Sequence, residues 1–147
     1  MSTAADGVAI VYFDSSAFMK LLVDEQGSDL AAALWDGCDT PISSRLAYPE
    51  VRAALAAAAR SQRLTPVDHT RAEAMWEDYW AATRTVELSG PVARHAGTLA
   101  VRHALRGSEA VHLASALAVG ARDTVLAVWD QRLQAGGKAA GLRTAPA

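Results

Sequence analysis

The 147-residue sequence lacks several features that would assign it to a specialised class of protein. Its one cysteine, Cys38, excludes an internal disulfide framework and a CxxC metal or redox motif. It also has no GxGxxG, GxSxG or HExxH motif, so none of the corresponding dinucleotide, hydrolase or zinc sites is expected. The formal net charge is −2, from 14 basic and 16 acidic residues, which excludes an overall basic nucleic-acid binder. Any surface that binds nucleic acid must therefore be local.

Long hydrophobic runs and targeting signals are missing as well. The longest apolar stretch without a charge, Ala110–Ala121, is interrupted by His112 and is far shorter than the ~20 residues that span a bilayer. The first residues, MSTAADG, contain no Lys or Arg to form the basic region of a signal peptide. We therefore expect a cytoplasmic protein that has no membrane partner.

Alanine, by contrast, is abundant. The sequence contains 33 Ala residues, and Ala combines the best helix propensity with a very small side chain. With 51% hydrophobic residues and a small net charge, the chain is not intrinsically disordered. Its length fits one domain, residues 1–147, with a core at about 8–144, in which helices pack closely.

Strands and helices alternate in the predicted secondary structure. Val8–Phe13 and Thr124–Trp129 are continuous β-branched and aromatic runs, typical of strands buried on both faces. Weaker strand signals cover Thr40–Ser43, Thr85–Leu88 and Leu142–Thr144. Helices are predicted from Asp14 onward, over Gln26–Trp35, Leu46–Arg63, Thr65–Thr83, Gly90–Leu105 and Glu109–Val119, and from Asp130 to Gly136-Gly137. This order predicts an α/β fold, a three-layer α/β/α sandwich with a small, mostly parallel central sheet.

Four acidic residues lie at comparable positions in this order. Asp14 and Asp130 each follow a buried strand, whereas Glu50 and Glu109 each lie at the start of a helix. Each acid alone could merely stabilise a helix N-terminus, an effect of ~0.3–1 kcal/mol. In a parallel sheet, however, Asp14 and Asp130 end at the same edge, where they repel each other unless a cation joins them. Mg²⁺ or Mn²⁺ suits such carboxylates, and acid clusters of this kind hydrolyse phosphodiesters.

Four segments, in this order and separation, resemble the signature blocks of PIN-domain ribonucleases: VAIVYFDSSAFMKLL, SSRLAYPEVRAAL, LRGSEAVHLASAL and VLAVWDQRL. They are most similar to the VapC-type toxins of bacterial toxin–antitoxin pairs, over residues 8–143. The resemblance implies that Asp14, Glu50, Glu109 and Asp130 hold Mg²⁺, or Mn²⁺ as a substitute, and form the catalytic site of an endoribonuclease. It also implies an RNA substrate, such as tRNA or another structured RNA, a cognate antitoxin and a homodimer.

Two positions depart from the family pattern. The third block normally carries Asp where this sequence has Glu109, and the extra methylene moves the carboxylate by up to ~1.5 Å. Because Mg²⁺ tolerates little deviation from octahedral geometry, we expect weaker metal binding or a lower rate. A Ser or Thr often lies where this sequence has Val128, and Ser15 or Ser16 could supply the missing hydroxyl. The alternative function is a weak or inactive PIN-fold domain that binds RNA or an antitoxin-like partner.

Arginine accounts for 12 of the 14 basic residues. Arg45 and Arg52 flank the second acid, and Arg102 and Arg106 lead into the third. These four side chains are candidates for binding RNA phosphates beside the acids. The alternative explanation, which the pattern favours, is that they lie on solvated helix faces.

Two further features leave a structural and a functional interpretation open. His112 lies three residues after Glu109 on the same helix face, where the family often has a packing and hydrogen-bonding His. Trp76, Tyr79 and Trp80 concentrate aromatic side chains in one predicted helix. Such a group forms either part of the core or a surface for another chain.

Overall fold

The computed structural model describes residues 9–120 and 122–147, in which strands and helices alternate along the chain. The strands in these ranges are β1 Ile10–Phe13, β2 Thr40–Ser44, β3 Arg84–Val86, β4 Val125–Ala127 and β5 Arg143–Ala145. The helices are α1 Ser15–Leu22, α2 Ser28–Gly37, α3 Ala47–Arg60, α4 Pro66–Ala81, α5 Gly90–His103, α6 Gly107–Ala118 and α7 Gln131–Ala139. Within the described ranges, none of these helices has both the length and the apolar character needed to cross a bilayer.

The five strands form one sheet in the order β3-β2-β1-β4-β5, and all four pairings are parallel. Helices cover both faces of the sheet. Side chains of β1 alternate between the two apolar clusters that lie on these faces. Val11 and Phe13 pack into the cluster that includes α1, α3 and α4, whereas Tyr12 packs into the one that includes α5, α6 and α7. The predicted α/β/α sandwich is therefore confirmed. Because the strands are parallel, their carboxyl ends lie at the same edge of the sheet, and Asp14 and Asp130 follow two of these ends.

Helix starts follow the capping residues of the sequence. Thr65 caps α4, its Oγ1 accepting from the Asp68 N–H at 3.1 Å, and Ser89 caps α5 through the Val92 N–H at 3.3 Å. A proline follows each cap within the first two helical positions, where its missing N–H costs nothing. These local signals explain why both helix starts are predicted correctly.

Other boundaries differ from the prediction. The strand predicted over Val8–Phe13 begins at Ile10, with Val8 outside the described residues, and the one predicted over Thr124–Trp129 shortens to Val125–Ala127. Helix α7 continues through Gly136-Gly137 instead of ending there. Both glycines are buried, and a Cβ at the second would lie 2.8 Å from Cδ2 of Leu126. The pair therefore allows α7 to approach the sheet closely rather than ending the helix.

The aromatic residues of α4 form part of the core. Trp76 is fully buried, with its ring 4.8 Å from that of Phe18 and 5.3 Å from that of Trp80. Tyr79 and Trp80 pack against the same cluster while remaining partly exposed. The core interpretation is therefore confirmed for Trp76.

Gly27, which precedes α2, has a backbone conformation and surroundings that favour glycine. Its φ is +97°, and a Cβ there would lie 2.6 Å from Nε1 of Trp129. We expect Gly27→Ala to lower the free energy of unfolding by about 1–3 kcal/mol, because Ala is strained at this φ and displaces the indole. Gly97→Ala is the matched control in urea denaturation, since that position in α5 is open and should gain about 0.5–1 kcal/mol. Equal losses in both variants would contradict the expectation.

Candidate active site

Asp14 and Asp130 follow the neighbouring strands β1 and β4, and each is the N-cap of the helix that comes next. Oδ1 of Asp14 accepts from the Ala17 N–H at 3.0 Å, and Oδ1 of Asp130 accepts from the Leu133 N–H at 2.8 Å. Capping uses one oxygen of each carboxylate. A helix cap and a ligand role are therefore compatible at both positions.

Ser16 joins the ends of these two strands. Its hydroxyl donates to Oδ1 of Asp14 at 2.6 Å and accepts from the Trp129 N–H at 2.9 Å. Val128, which replaces the expected Ser or Thr, is fully buried in the core. Ser15 makes no side-chain hydrogen bond within 9–120 and 122–147. Of the two candidate hydroxyls, Ser16 is the one that supports an acid.

The Asp14 carboxyl is almost completely buried, with 3% exposure. Burial raises its pKa from the usual 3.8 to about 6, although the charge of His112 and the bonds from Ser16 and Ala17 oppose that rise. The negative charge of Asp130 makes a smaller contribution to this rise, so the two acids interact electrostatically. Ionised Asp14 is thus costly in the absence of a nearby positive charge.

Glu50 reaches the site from the first turn of α3 and binds a buried histidine. Its Oε1 lies 2.6 Å from Nε2 of His112, whose Nδ1 lies 2.7 Å from the Tyr12 hydroxyl. Burial raises the pKa of Tyr12 well above its usual range, and the charge of Asp14 adds to the effect. Sequence reasoning missed both contacts. The signals were that His112 shares a helix face with Glu109 and that the family often has a packing and hydrogen-bonding His at this position.

Glu109 differs from the other three acids in what it contacts. It is buried, and its Oε1 accepts from the Arg106 N–H at 2.8 Å, which is one half of a capping box. The same oxygen lies 3.6 Å from Nη1 of Arg132, a residue the sequence analysis did not select. The extra methylene relative to Asp lets the carboxylate turn back to the start of its own helix.

This contact predicts different effects for two substitutions of Glu109. We expect Glu109→Ala to lower the free energy of unfolding by about 1 kcal/mol, because the Arg106 N–H loses its acceptor. Glu109→Gln keeps an oxygen at the same reach and should lose much less. Urea denaturation measures both, and a Gln variant as unstable as the Ala variant would contradict the capping role.

The donor set suits a hard divalent cation in chemistry but is not assembled into a ligand sphere. Asp14, Asp130 and Glu50 offer carboxylate oxygens at one sheet edge, which is the type of ligand that Mg²⁺ and Mn²⁺ prefer. Across the described ranges, no three His, Cys, Asp or Glu side chains converge closely enough to hold a metal ion. Metal binding at these residues therefore stays a prediction.

The four candidate arginines fall into two groups. Arg45 is paired with Glu87, and Arg52 with Glu73 at 3.2 Å, so nearby acids already neutralise both. Arg102 and Arg106 are exposed, and neither forms an ion pair with a residue in the described part of the chain. The second group therefore has more capacity to bind phosphate.

A sequence model of the PIN domain matches residues 11–135, which include all four acids. The chain therefore belongs to the PIN-domain family.

Two curated relatives place it close to the VapC proteins of that family. Ribonuclease VapC45 of Mycobacterium tuberculosis (strain CDC 1551 / Oshkosh) and ribonuclease VapC49 of M. tuberculosis (strain ATCC 25618 / H37Rv) are each 67% identical to it over 138 residues. Each alignment covers 94% of this chain and 96% of the relative. The resemblance to VapC-type proteins is thereby confirmed.

Solved structures show the same fold. PAE2754 from Pyrobaculum aerophilum has a TM-score of 0.63 at 21% identity, covering 95% of this chain and 93% of that one. M. tuberculosis VapC20, described as a sarcin-ricin loop cleaving toxin, has a TM-score of 0.65 at 17% identity, covering 86% and 95%.

Proposed function

We propose that this chain is a metal-dependent endoribonuclease and the toxin of a toxin–antitoxin pair. The 67% identity to two proteins named ribonuclease VapC supports the activity. The observation that carries the proposal is the position of the Asp14 carboxyl, which is almost completely buried where β1 ends and faces the charge of Asp130 beyond β4. Burial, with a smaller contribution from Asp130, raises its pKa to about 6. Such a costly pair of acids is typical of a site that binds a cation.

Asp14, Asp130 and Glu50 would hold Mg²⁺ or Mn²⁺, with Glu109 as a further ligand once it leaves the Arg106 N–H. Bound there, the cation would stabilise the negative charge that develops on the scissile phosphate and lower the pKa of water. The chain itself keeps Asp14 in place through the Ser16 hydroxyl and the Ala17 N–H. These two bonds fix the orientation of the Asp14 carboxylate at the start of helix α1.

Arg102 and Arg106 would bind RNA phosphates, since they are exposed and lead into Glu109. A groove also runs beside Asp130, with Arg63 and Trp129 among its lining residues, and with Lys20 paired to Glu25 at 3.0 Å. The Arg63 guanidinium and the indole suit a nucleotide that flanks the cleaved bond. We propose a structured RNA as the substrate class, with an antitoxin and a second copy of the chain as protein partners.

The alternative, a weak or inactive domain that binds RNA or an antitoxin-like protein, has one observation in its favour. Glu109 is bound to the Arg106 N–H and lies beside Arg132, so the third acid is occupied by the chain's own groups. A ligand that must first be released contributes less to metal binding.

Cleavage of a purified tRNA and ribosomal RNA pool separates the two functions. The wild-type chain should cleave with Mn²⁺ and stop with EDTA, and Asp130→Asn should lose most activity. Asp78→Asn, at an exposed acid on α4, is the control and should cleave normally. Cleavage that persists in EDTA would exclude metal dependence, whereas RNA binding without cleavage would favour the alternative.

A further inference from the structure

We propose that Tyr12 and His112 are positioning residues that hold the Glu50 carboxylate at the site through a buried chain of hydrogen bonds. The inference rests on the proposed function, because it gives these residues a role in metal binding by Glu50. The three residues come from β1, α6 and α3, so the chain of bonds joins elements from both faces of the sheet.

The hydrogen bonds run without a break from the core to the site. Tyr12 is 0% exposed and His112 2%, whereas the Glu50 side chain is 26% exposed. The distances are 2.7 Å from the Tyr12 hydroxyl to Nδ1 of His112 and 2.6 Å from Nε2 of His112 to Oε1 of Glu50. The tyrosine and histidine rings meet edge to face, 5.9 Å apart at 77°. Rotation of the His112 ring would break both of these hydrogen bonds.

The chemistry of the three groups sets the direction of each bond. A carboxylate is only an acceptor, whereas a phenol hydroxyl both donates and accepts. Nε2–H of His112 therefore donates to Glu50, and in the neutral imidazole Nδ1 is the acceptor for the Tyr12 hydroxyl. With the hydrogen on Nδ1 alone, two lone pairs would face each other at 2.6 Å, between Nε2 and the Glu50 oxygen. In the neutral ring, Tyr12 as donor and Glu50 as acceptor thus favour the same tautomer.

This arrangement has a consequence for the carboxylate. A glutamate with a partly exposed side chain has several rotamers, most of which turn the carboxylate into solvent. The bond from His112 commits Oε1 and leaves Oε2 to approach a cation. Partners that orient metal ligands in this way typically change metal affinity or activity by ~10–100-fold.

A packing role alone makes a different prediction, and three variants separate the two. Tyr12→Phe removes only the hydroxyl, His112→Leu removes both nitrogens, and His112→Gln keeps an amide donor near the position of Nε2. By Mn²⁺ calorimetry we expect binding weaker by about 10–100-fold in His112→Leu, with Gln recovering most of it. Tyr12→Phe should lose about 3–10-fold. Exposed His95, changed to Leu, is the control.

Unfolding midpoints of the same variants show whether weaker Mn²⁺ binding comes only from a loss of stability. A Gln variant that binds Mn²⁺ no better than the Leu variant, at equal stability, would overturn the positioning role. Unchanged Mn²⁺ affinity in both Tyr12→Phe and His112→Leu would overturn it as well.

A second measurement needs neither metal nor activity and keeps the inference testable if a variant fails to fold. In the metal-free wild-type chain labelled with ¹⁵N-histidine, the resonances lost in His112→Gln identify His112. We expect a hydrogen on Nε2, and a hydrogen on Nδ1 alone would overturn the bond to Glu50. A wild-type chain that binds no Mn²⁺ would overturn the metal site, while these resonances would still decide the hydrogen-bonded chain.

Discussion

Replacing Asp14 with Asn is expected to abolish RNA cleavage and, at the same time, to make the metal-free protein more stable at neutral pH. Cleavage should fall by at least ~100-fold, because even the outer partners of metal ligands are worth ~10–100-fold. The gain in stability has a separate cause. The wild-type carboxyl is almost fully buried and must ionise near Asp130, whereas a neutral amide has no such cost.

The sign of the pH dependence follows from the raised pKa of Asp14. Burial raises it from 3.8 to about 6, so between these values the folded state holds a proton that the unfolded state has lost. The stability from this group is fully present below the lower value and is lost as the pH rises through about 6. The largest loss is about 3 kcal/mol, at about 1.4 kcal/mol per pKa unit. Asn at position 14 still caps α1.

Urea denaturation in EDTA tests this expectation. The free energy of unfolding of Asp14→Asn should exceed that of the wild type at neutral pH and match it at a pH near the lower pKa. Asp78→Asn, at an exposed position, should show neither effect. Mn²⁺ should stabilise the wild type but not Asp14→Asn. An Asn variant that is less stable at both pH values, or that still cleaves RNA, would contradict the role of Asp14.

Truncation of Trp76 should have the largest effect on stability. We expect Trp76→Ala to lower the free energy of unfolding by about 3–5 kcal/mol, because the indole is fully buried and the cavity cannot collapse among rigid rings. Its ring contacts Phe18 of α1, Tyr48 of α3 and Trp80 of α4. The indole thus holds together the helices that begin at Asp14 and carry Glu50.

Trp76→Phe should cost less than Trp76→Ala, because the phenyl ring fills most of the space of the indole and leaves a smaller cavity. The buried Nε1 of Trp76 has no hydrogen-bond partner among the described residues, so Phe removes a donor that the wild type leaves unpaired. Val101, which is 87% exposed on α5, serves as the control, and Val101→Ala should change stability by less than about 0.5 kcal/mol. A loss for Trp76→Ala no larger than that of the control would show that the indole does not organise this core.

Much of the fold can be predicted from local sequence patterns. The apolar runs around Tyr12 and Leu126 predict buried strands because strands covered on both faces need continuous apolar residues. Thr65 and Ser89 mark helix starts because their hydroxyls satisfy N–H groups only three residues away. The end of α7 was predicted wrongly because the contacts that decide it are distant in the sequence. Gly136-Gly137 is locally a stop signal, and only the closeness of Leu126 and Leu105 shows why glycine is needed inside the helix.

The four acids divide in the same way. Their positions at strand ends and helix starts can be read from neighbouring residues, and the family resemblance identifies them as a set. Their contacts cannot be read in this way, because the partners lie far apart in the chain. Glu50 and His112 are separated by 62 residues, Tyr12 and His112 by 100, and Ser16 and Trp129 by 113. Short-range pattern therefore identifies the chemistry, whereas packing of the parallel sheet against its two helical layers selects which carboxylate oxygen each neighbour binds.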